Sequence, residues 1–394
     1  MDASVAELQQ SLLQSFSPVA AAATLEPTAM APAVAAEVPA DRQVEAPIDP
    51  PRGRLMGTVE GDPKGLVPWE SRQAIYLDLP RDDYDQLKAY NASFLKTPIH
   101  KTLGHAWHEF LRPDREQQPD KDHFLHGNML HTMLLEPELY GERYVVIPSG
   151  MPKRPTEKQL EEPSAKPGTK THDAWLDAVA REEAWRRFEA GIAPGAQIVS
   201  AADHDQVMAW ANAVLRHPRL GAYFAPEYRT LNELTLVWLD PITKVPCKAR
   251  LDAVRVFDDH IWIGDLKTCR EAGDAFHRDA GKFLYVLSGT YYADALFYCK
   301  RALEQILGLP SGELINRPIK LEFIAIEKTA PHFVQRVHLT NDQVEIGRRL
   351  IRHALDQSIA ADEAGYWPAY AEESVPLELP AYAWTWMESR LEAA

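Results

Sequence analysis

The sequence predicts an α/β (α+β mixed) fold: a central mixed sheet containing an antiparallel three-strand meander, flanked by helices. Three observations predict it. Residues 231–267 alternate apolar and polar side chains in three runs, LNELTLVWLD, VPCKARLDAVRVF and HIWIGDLKT, with turn-forming DPITK and DD at the junctions. The segments on either side repeat apolar residues every three to four positions, as helices do. The order of helices, three strands, a helix, two strands and a helix is that of a mixed sheet covered by helices.

Along the chain, residues 1–65 are rich in Ala, Pro and Val without a sustained apolar period, and read as a disordered arm that cannot bury enough surface to order itself. Within it, VAELQQSLLQSF (5–16) is either a short amphipathic helix or a frayed tail. Residues 66–394 form one domain in three parts: a helical part (75–220), a sheet core (228–340), and a C-terminal helix with a Trp- and Pro-rich tail (341–394). Tyr84 to Leu111 reads as helical pieces, and FLHGNMLHTMLLEPELY (124–140) as a helix that Pro137 stops. The charged stretch KRPTEKQLEEPSAKPGTKTH (153–172) reads as a loop, followed by helices near 173–190 and 202–216. After the meander come a helix at about 283–307, the strands IKLEFIAIEK and HFVQRVHL, and a helix at about 341–364. Trp367, Tyr370, Trp384 and Trp386 read as packing anchors for the tail, with base-stacking platforms as the alternative.

At 394 residues, 45% hydrophobic and 25% charged, the chain has the composition of a globular protein with a sizeable core. The weakly polar stretch at 17–40 is broken by Pro18, Glu26, Pro27 and Pro32, which excludes a membrane span, and MDASVAELQQ lacks the basic start of a secretory signal. Both features predict a cytoplasmic protein with no membrane partner. Cys247, Cys269 and Cys299 are too few and too far apart for a zinc knuckle, a cysteine-held iron–sulfur cluster or a disulfide framework, so they read as thiols. The net charge of −15 is concentrated at the ends: residues 1–65 hold 9 acidic and 4 basic side chains, and 357–394 hold 7 and 1. The middle is close to balanced, so the acidic total does not exclude a local groove for a polyanion.

The chemistry gathers in the meander. Side chains two apart on a strand share a face, so Asp265 and Lys267 of GDLKT continue the face of Ile261 and Ile263. Asp252 lies on the preceding strand, where a short turn can bring it to Asp265. Two neighbouring carboxylates repel unless a cation is shared. Mg²⁺, with Mn²⁺ as substitute, suits one or two carboxylates completed by water and substrate phosphate. Such an ion can activate water and neutralise charge on phosphate, while Lys267 orients the water or stabilises the transition state.

RLD (250–252) followed by GDLKT (264–268) resembles the core of the PD-(D/E)XK nucleases. GNMLHTMLLEPELY (127–140) and NELTLVW (232–238) resemble the exonuclease VIII (RecE-like) branch, as do HP (217–218), YYADA (291–295), YWPAY (366–370) and LPAYAW (379–384). The likeness spans about 75–385. It implies a restriction-endonuclease-like core and an exodeoxyribonuclease domain over 66–394. The activity it implies is Mg²⁺-dependent degradation of linear double-stranded DNA from its ends, 5′ to 3′. The single strand left behind would pass to a RecT-like annealing partner in phage-type recombination. The alternatives are an endonuclease or single-strand nuclease of the same superfamily, or a decayed DNA-binding scaffold on the same fold.

Carried over by position, the resemblance implies His131 as a metal ligand, Asp252 and Asp265 as bridging carboxylates, the Leu266 carbonyl as a further ligand and Lys267 as the catalytic lysine. Glu233 would serve at a second metal or in the water network. Where the family has a Gln-x-x-x-Tyr helix motif, the chain has Ser288 and Tyr292, so the tyrosine matches and the glutamine does not. Ser288→Gln is therefore expected to leave activity unchanged or raise it. Ser288, Tyr292 and Arg250 are candidate DNA contacts, and Lys248, Arg255, Arg270, Lys282, Lys300 and Arg301 could follow the backbone. A closed homo-oligomer would suit processive action. Without that context, a strand-end Asp-x-Lys is more often a surface ion pair, and His131 beside Leu134 and Leu135 reads as a core histidine.

Overall fold

The computed structural model describes residues 55–56, 73–77, 79–112, 122–224, 230–371 and 373–392. The arm expected at 1–65, with its helix-or-tail alternative at 5–16, lies outside them except for the two-residue strand β1 (Leu55–Met56). β1 pairs with β2 (Gln73–Tyr76), a strand too short for periodicity to reveal. The helical part follows as α1 (Arg81–Gln86), α2 (Ala92–His100), and α3 (Leu103–Ala106), which widens into a π-turn at Trp107–Leu111.

Next comes α4 (Asp122–Leu135). Pro137 does not simply end the helical run: it opens α5 (Pro137–Arg143) from a first-turn position, where its missing N–H costs nothing. β3 (Tyr144–Val146) pairs in parallel with β4 (Gln197–Val199), a small second sheet that three-residue strands hid from the sequence. Between them, the stretch expected as a loop holds the turn α6 (Glu157–Leu160) and the start of α7 (Lys170–Glu189). Thr156 and Gln159 cap α6 reciprocally, which is why a charged, Pro-flanked segment is ordered there. α8 (Ala201–Arg216) follows, capped by Ser200.

The meander is β5 (Thr230–Leu239), β6 (Pro246–Val256) and β7 (Ile261–Cys269), as the alternation predicts. α9 (Asp274–Lys282), not anticipated, precedes α10 (Tyr285–Leu307). Then come β8 (Ile319–Glu327), β9 (Val334–His338), α11 (Asn341–Ala364) and, within the expected tail, α12 (Ala381–Glu392). Among the described residues one sheet runs β1-β2-β5-β6-β7-β8-β9, antiparallel except for the parallel pair β7·β8. It is a mixed sheet.

Helices α2, α10 and α11 cover one face, burying Phe94, Leu95, Leu287, Leu296, Leu303 and Leu355 against Leu234, Leu236, Leu251 and Ile263. The other face packs Met129 and Leu130 of α4 and Val207 and Trp210 of α8 on Trp262, Leu266 and Ile324. Of the tail aromatics expected as anchors, Trp367 packs edge-on to Phe94 while Tyr370, Trp384 and Trp386 are exposed. Among the described residues, no helix is long and apolar enough to cross a membrane. The three cysteines are buried and free.

Candidate active site

β6 and β7 are hydrogen-bonded only as far as Ala253↔Gly264. Beyond that pair β6 continues against β5 to Pro246, and β7 against β8 to Cys269, so the sheet forks. Asp252 and Asp265 are the first residues past the fork. There the Leu266 N–H, freed from the ladder, donates to Asp252 Oδ2 at 2.8 Å.

The in–out alternation slips at the same level. The residues of β6 that face α10 are Cys247, Ala249 and Leu251, then Val254; on β5 they are Leu231, then Leu234, Leu236 and Trp238. Glu233, at the β5 slip, has a left-handed φ of 50°, unusual for a non-glycine residue inside a strand and worth on the order of 1–3 kcal/mol of strain. This distortion turns its carboxylate toward the fork. Asn232 next to it donates from Nδ2 to the Leu135 carbonyl at 2.7 Å, fastening the end of α4 to the strand.

That contact brings α4 over the fork. His131 Nδ1 lies 3.5 Å from Glu233 Oε1 and its Nε2 lies 3.7 Å from Asp252 Oδ2. Together His131, Glu233 and Asp252 offer ligand atoms all within 4.8 Å of one another. Lys267 Nζ pairs with Asp265 Oδ2 and donates to the Leu266 carbonyl, the one implied as a ligand, at 3.2 Å. Asp265 is 3% exposed, and apart from this ion pair its Oδ2 accepts no hydrogen bond.

The electrostatics match a cation-binding cluster. Burial pushes the Asp252 carboxyl up, and although His131 opposes this, Asp265 and Glu233 reinforce it, leaving a value of about 6. Burial disfavours the His131 imidazolium, yet Asp252 and Glu233 outweigh burial and raise it to about 9. Glu233 resists burial through His131 and Arg250, which hold its carboxyl at about 2. Lys267 is likewise held above its ordinary value against burial by Asp265 and Asp252. Two carboxylates and an imidazole converging within 4.8 Å, with the Asp265–Lys267 pair one residue past the same fork, suit a hard divalent ion.

Arg250, expected as a DNA contact, ion-pairs with Glu233 through Nε and donates from Nη1 to the Leu79 carbonyl at 2.8 Å. Its geometry orients Glu233. Three other cations of the expected groove are also turned inward. Lys248, Arg255 and Lys300 are buried and donate to the carbonyls of Tyr84 (2.7 Å), Ala222 (2.8 Å) and Arg317 (2.6 Å). Arg270, Lys282 and Arg301 are exposed. Tyr292 is raised well above its ordinary value by burial and then by the charges of Asp265 and Asp252. Ser288, one turn earlier on α10, is buried and donates to the Tyr285 carbonyl at 3.4 Å.

Two residues went unread in the sequence. Glu136, in the LEP tripeptide, is buried and receives a bidentate pair from Arg143 at 2.6 and 2.8 Å, fixing the α4–α5 corner. Lys96 of α2 approaches from the other side of the sheet, with Nζ 5.6 Å from the Tyr285 ring centroid; Lys267 Nζ lies 5.9 Å from the same centroid. The spacing signal that reveals Asp-x-Lys has no counterpart for either.

Residues 101–377 match a family described as a PDDEXK-like domain of unknown function (DUF3799). The chain belongs to this family. The mixed sheet flanked by helices is that of a PDDEXK-like, restriction-endonuclease-like fold, and the membership supports a nuclease. Among solved structures the chain is similar to one provisionally described as an exonuclease from Eubacterium rectale. The TM-score is 0.43 at 10% identity, with 76% of this chain and 93% of that one covered. No curated protein matches the chain.

Proposed function

We propose that this PDDEXK-like protein is a divalent-metal-dependent deoxyribonuclease. The observation that carries the reading is the convergence of His131, Glu233 and Asp252 within 4.8 Å, beside the Asp265–Lys267 pair at the fork. His131, Asp252, Asp265 and the Leu266 carbonyl would hold Mg²⁺, or Mn²⁺ in its place, and the ion would supply Lewis acidity and a water of lowered pKa. Lys267 stands at the carboxylate edge, where its ammonium can face a phosphate oxygen as charge develops. Arg250 keeps Glu233 ionised and aimed at the centre. Tyr292 on α10, whose phenol feels the charges of Asp265 and Asp252, would help to orient a backbone phosphate.

Within that reading, the sequence likeness to the RecE-like branch favours an exonuclease acting on the ends of linear double-stranded DNA, 5′ to 3′. The single strand produced would go to a RecT-like annealing protein, and a homo-oligomer could enclose the duplex. A decayed scaffold is disfavoured by the strained Glu233 and by the buried, mutually repelling carboxylates, which cost stability and which a protein with no use for a cation would not need. The test is incubation with Mg²⁺ and end-labelled linear duplex beside closed circular DNA. Shortening of the linear duplex alone is expected; equal cutting of circles would indicate an endonuclease, and intact DNA in both would overturn the reading.

A further inference from the structure

The lysines of the molecule divide by partner. Lys101 pairs with Glu109 at 2.5 Å, Lys248 and Lys300 are wrapped by backbone carbonyls, and Lys267 is paired with Asp265. Lys96 is different. It is half-buried, yet among the described residues neither a carboxylate nor a carbonyl pairs with its ammonium, and its contact is the Tyr285 ring that Lys267 also approaches.

Its backbone is firmly placed. Asn91 caps α2 by accepting from the Phe94 N–H at 2.8 Å, and Phe94 and Leu95, the two residues before Lys96, are buried in the core against α10 and α11. Tyr285 is in turn stacked on Phe323, with centroids 5.3 Å apart. A firmly placed helix and a stacked ring thus hold a second ammonium at the ring that Lys267 also approaches. Burial, and after it the Lys267 charge, lower the Lys96 ammonium against the opposing pull of Asp265, to about 8. Lys267 is paired with Asp265, while Lys96 beside the same ring has no carboxylate of its own among the described residues, so its charge is left without a partner. An anion brought to the fork would relieve it.

We infer that Lys96 is a phosphate-holding residue of the active site, gripping the DNA backbone next to the phosphate that Lys267 faces. This rests on the nuclease reading and adds to it a contact from α2, on the side of the centre away from His131. Lys96 is a positioning residue: it fixes the strand while Asp252, Asp265 and Lys267 act on the phosphodiester.

The experiment is binding of a linear duplex oligonucleotide in Ca²⁺ across a salt series, with wild type, Lys96→Met, Lys96→Gln and Lys96→Arg, each also melted without DNA. Loss of one phosphate contact should weaken binding about tenfold at low salt and reduce the slope of log K against log salt by about one. Lys96→Met and Lys96→Gln should both show this with melting temperatures equal to or above wild type, and Lys96→Arg should restore the slope. In Mg²⁺ the loss should appear in KM more than in kcat. Wild-type affinity and slope in Lys96→Met or Lys96→Gln would overturn the inference while leaving the nuclease reading intact. So would a lowered melting temperature with an unchanged slope, since Lys96 would then be a packing strut on Tyr285. Failure of the wild type itself to bind duplex would overturn both.

Discussion

The Leu266 N–H donates to Asp252 Oδ2 at 2.8 Å across the point where β6 and β7 part. One carboxylate therefore has two tasks: it ties the backbone of the Asp-Leu-Lys strand at the fork, and it presents an oxygen to His131 at 3.7 Å. The tasks separate by mutation. Asp252→Asn keeps an acceptor for Leu266 and removes the charge that Asp265 and Glu233 repel, so its stability at pH 8 should equal or exceed wild type. Asp252→Ala orphans a buried N–H and should cost about 1–3 kcal/mol. Both should lose divalent-metal affinity. Urea unfolding with and without Mn²⁺ checks both parts.

Metal binding should release a proton. Raised to about 9, His131 carries a proton at neutral pH in the protein stripped of divalent metal, and a ligating imidazole must be neutral. Titrating Mn²⁺ into weakly buffered protein at pH 7 should release about one proton per site, absent in His131→Gln, and affinity should climb with pH up to about 9. The sign for stability is opposite. A folded value above the unfolded one of about 6.5 means that the imidazolium stabilises the metal-stripped protein fully below pH 6.5, a contribution of about 3 kcal/mol that is lost as pH rises through 9. Between pH 6.5 and 8, below the range in which Lys96 titrates, melting temperature should fall in wild type and fall less in His131→Gln.

Much of this was legible in the sequence because the meander is long and regular. Strands of nine to eleven residues display their period, and Asp265 and Lys267 do share a face with the buried Ile261 and Ile263. The short elements β2, β3 and β4 did not show, since three or four residues carry no period. Neither did the slips at Glu233 and Asp252: strict alternation assigns side chains to faces, and a left-handed residue inside a strand breaks that assignment without a glycine to mark it. Basic residues were the least legible. Lys248, Arg255 and Lys300 look like surface charge in the sequence, but long aliphatic stems let them bury and end on carbonyls.

Gly264, the first residue of GDLKT, has a packing role. A Cβ there would lie 2.2 Å from the Trp262 ring, which is buried and held by its own N–H to Glu322 at 2.8 Å. The ring cannot swing away freely. Gly264→Ala should lose about 1–3 kcal/mol in thermal or urea unfolding, with reduced metal affinity because Asp265 is its neighbour.

Restoring the family glutamine should now do harm. Ser288 is 3% exposed and sits beside Gly289, whose own Cβ position is already within 2.8 Å of Phe323. At so buried a position one further methylene and an amide in place of the hydroxyl must displace packed neighbours, so Ser288→Gln is expected to destabilise by about 1–3 kcal/mol and to lower activity, reversing what motif matching alone suggests. Melting curves and duplex cleavage on the same preparation check it.

The central claim is that the fork carboxylates hold a divalent ion for phosphodiester cleavage, and Asp265→Asn tests it most directly. The change keeps side-chain size and removes one charge from a buried oxygen paired with Lys267. The measurement is melting temperature with and without Mg²⁺, beside Mg²⁺-dependent cleavage of end-labelled linear duplex, for wild type and mutant. Mg²⁺ should raise the wild-type melting temperature and raise the mutant's less, since stabilisation follows affinity for the folded state, while cleavage falls by several powers of ten, on the order expected when a metal-activated water is lost. An Asp265→Asn protein that cleaves near the wild-type rate and responds equally to Mg²⁺ would show that Asp265 is only an ion-pair partner of Lys267.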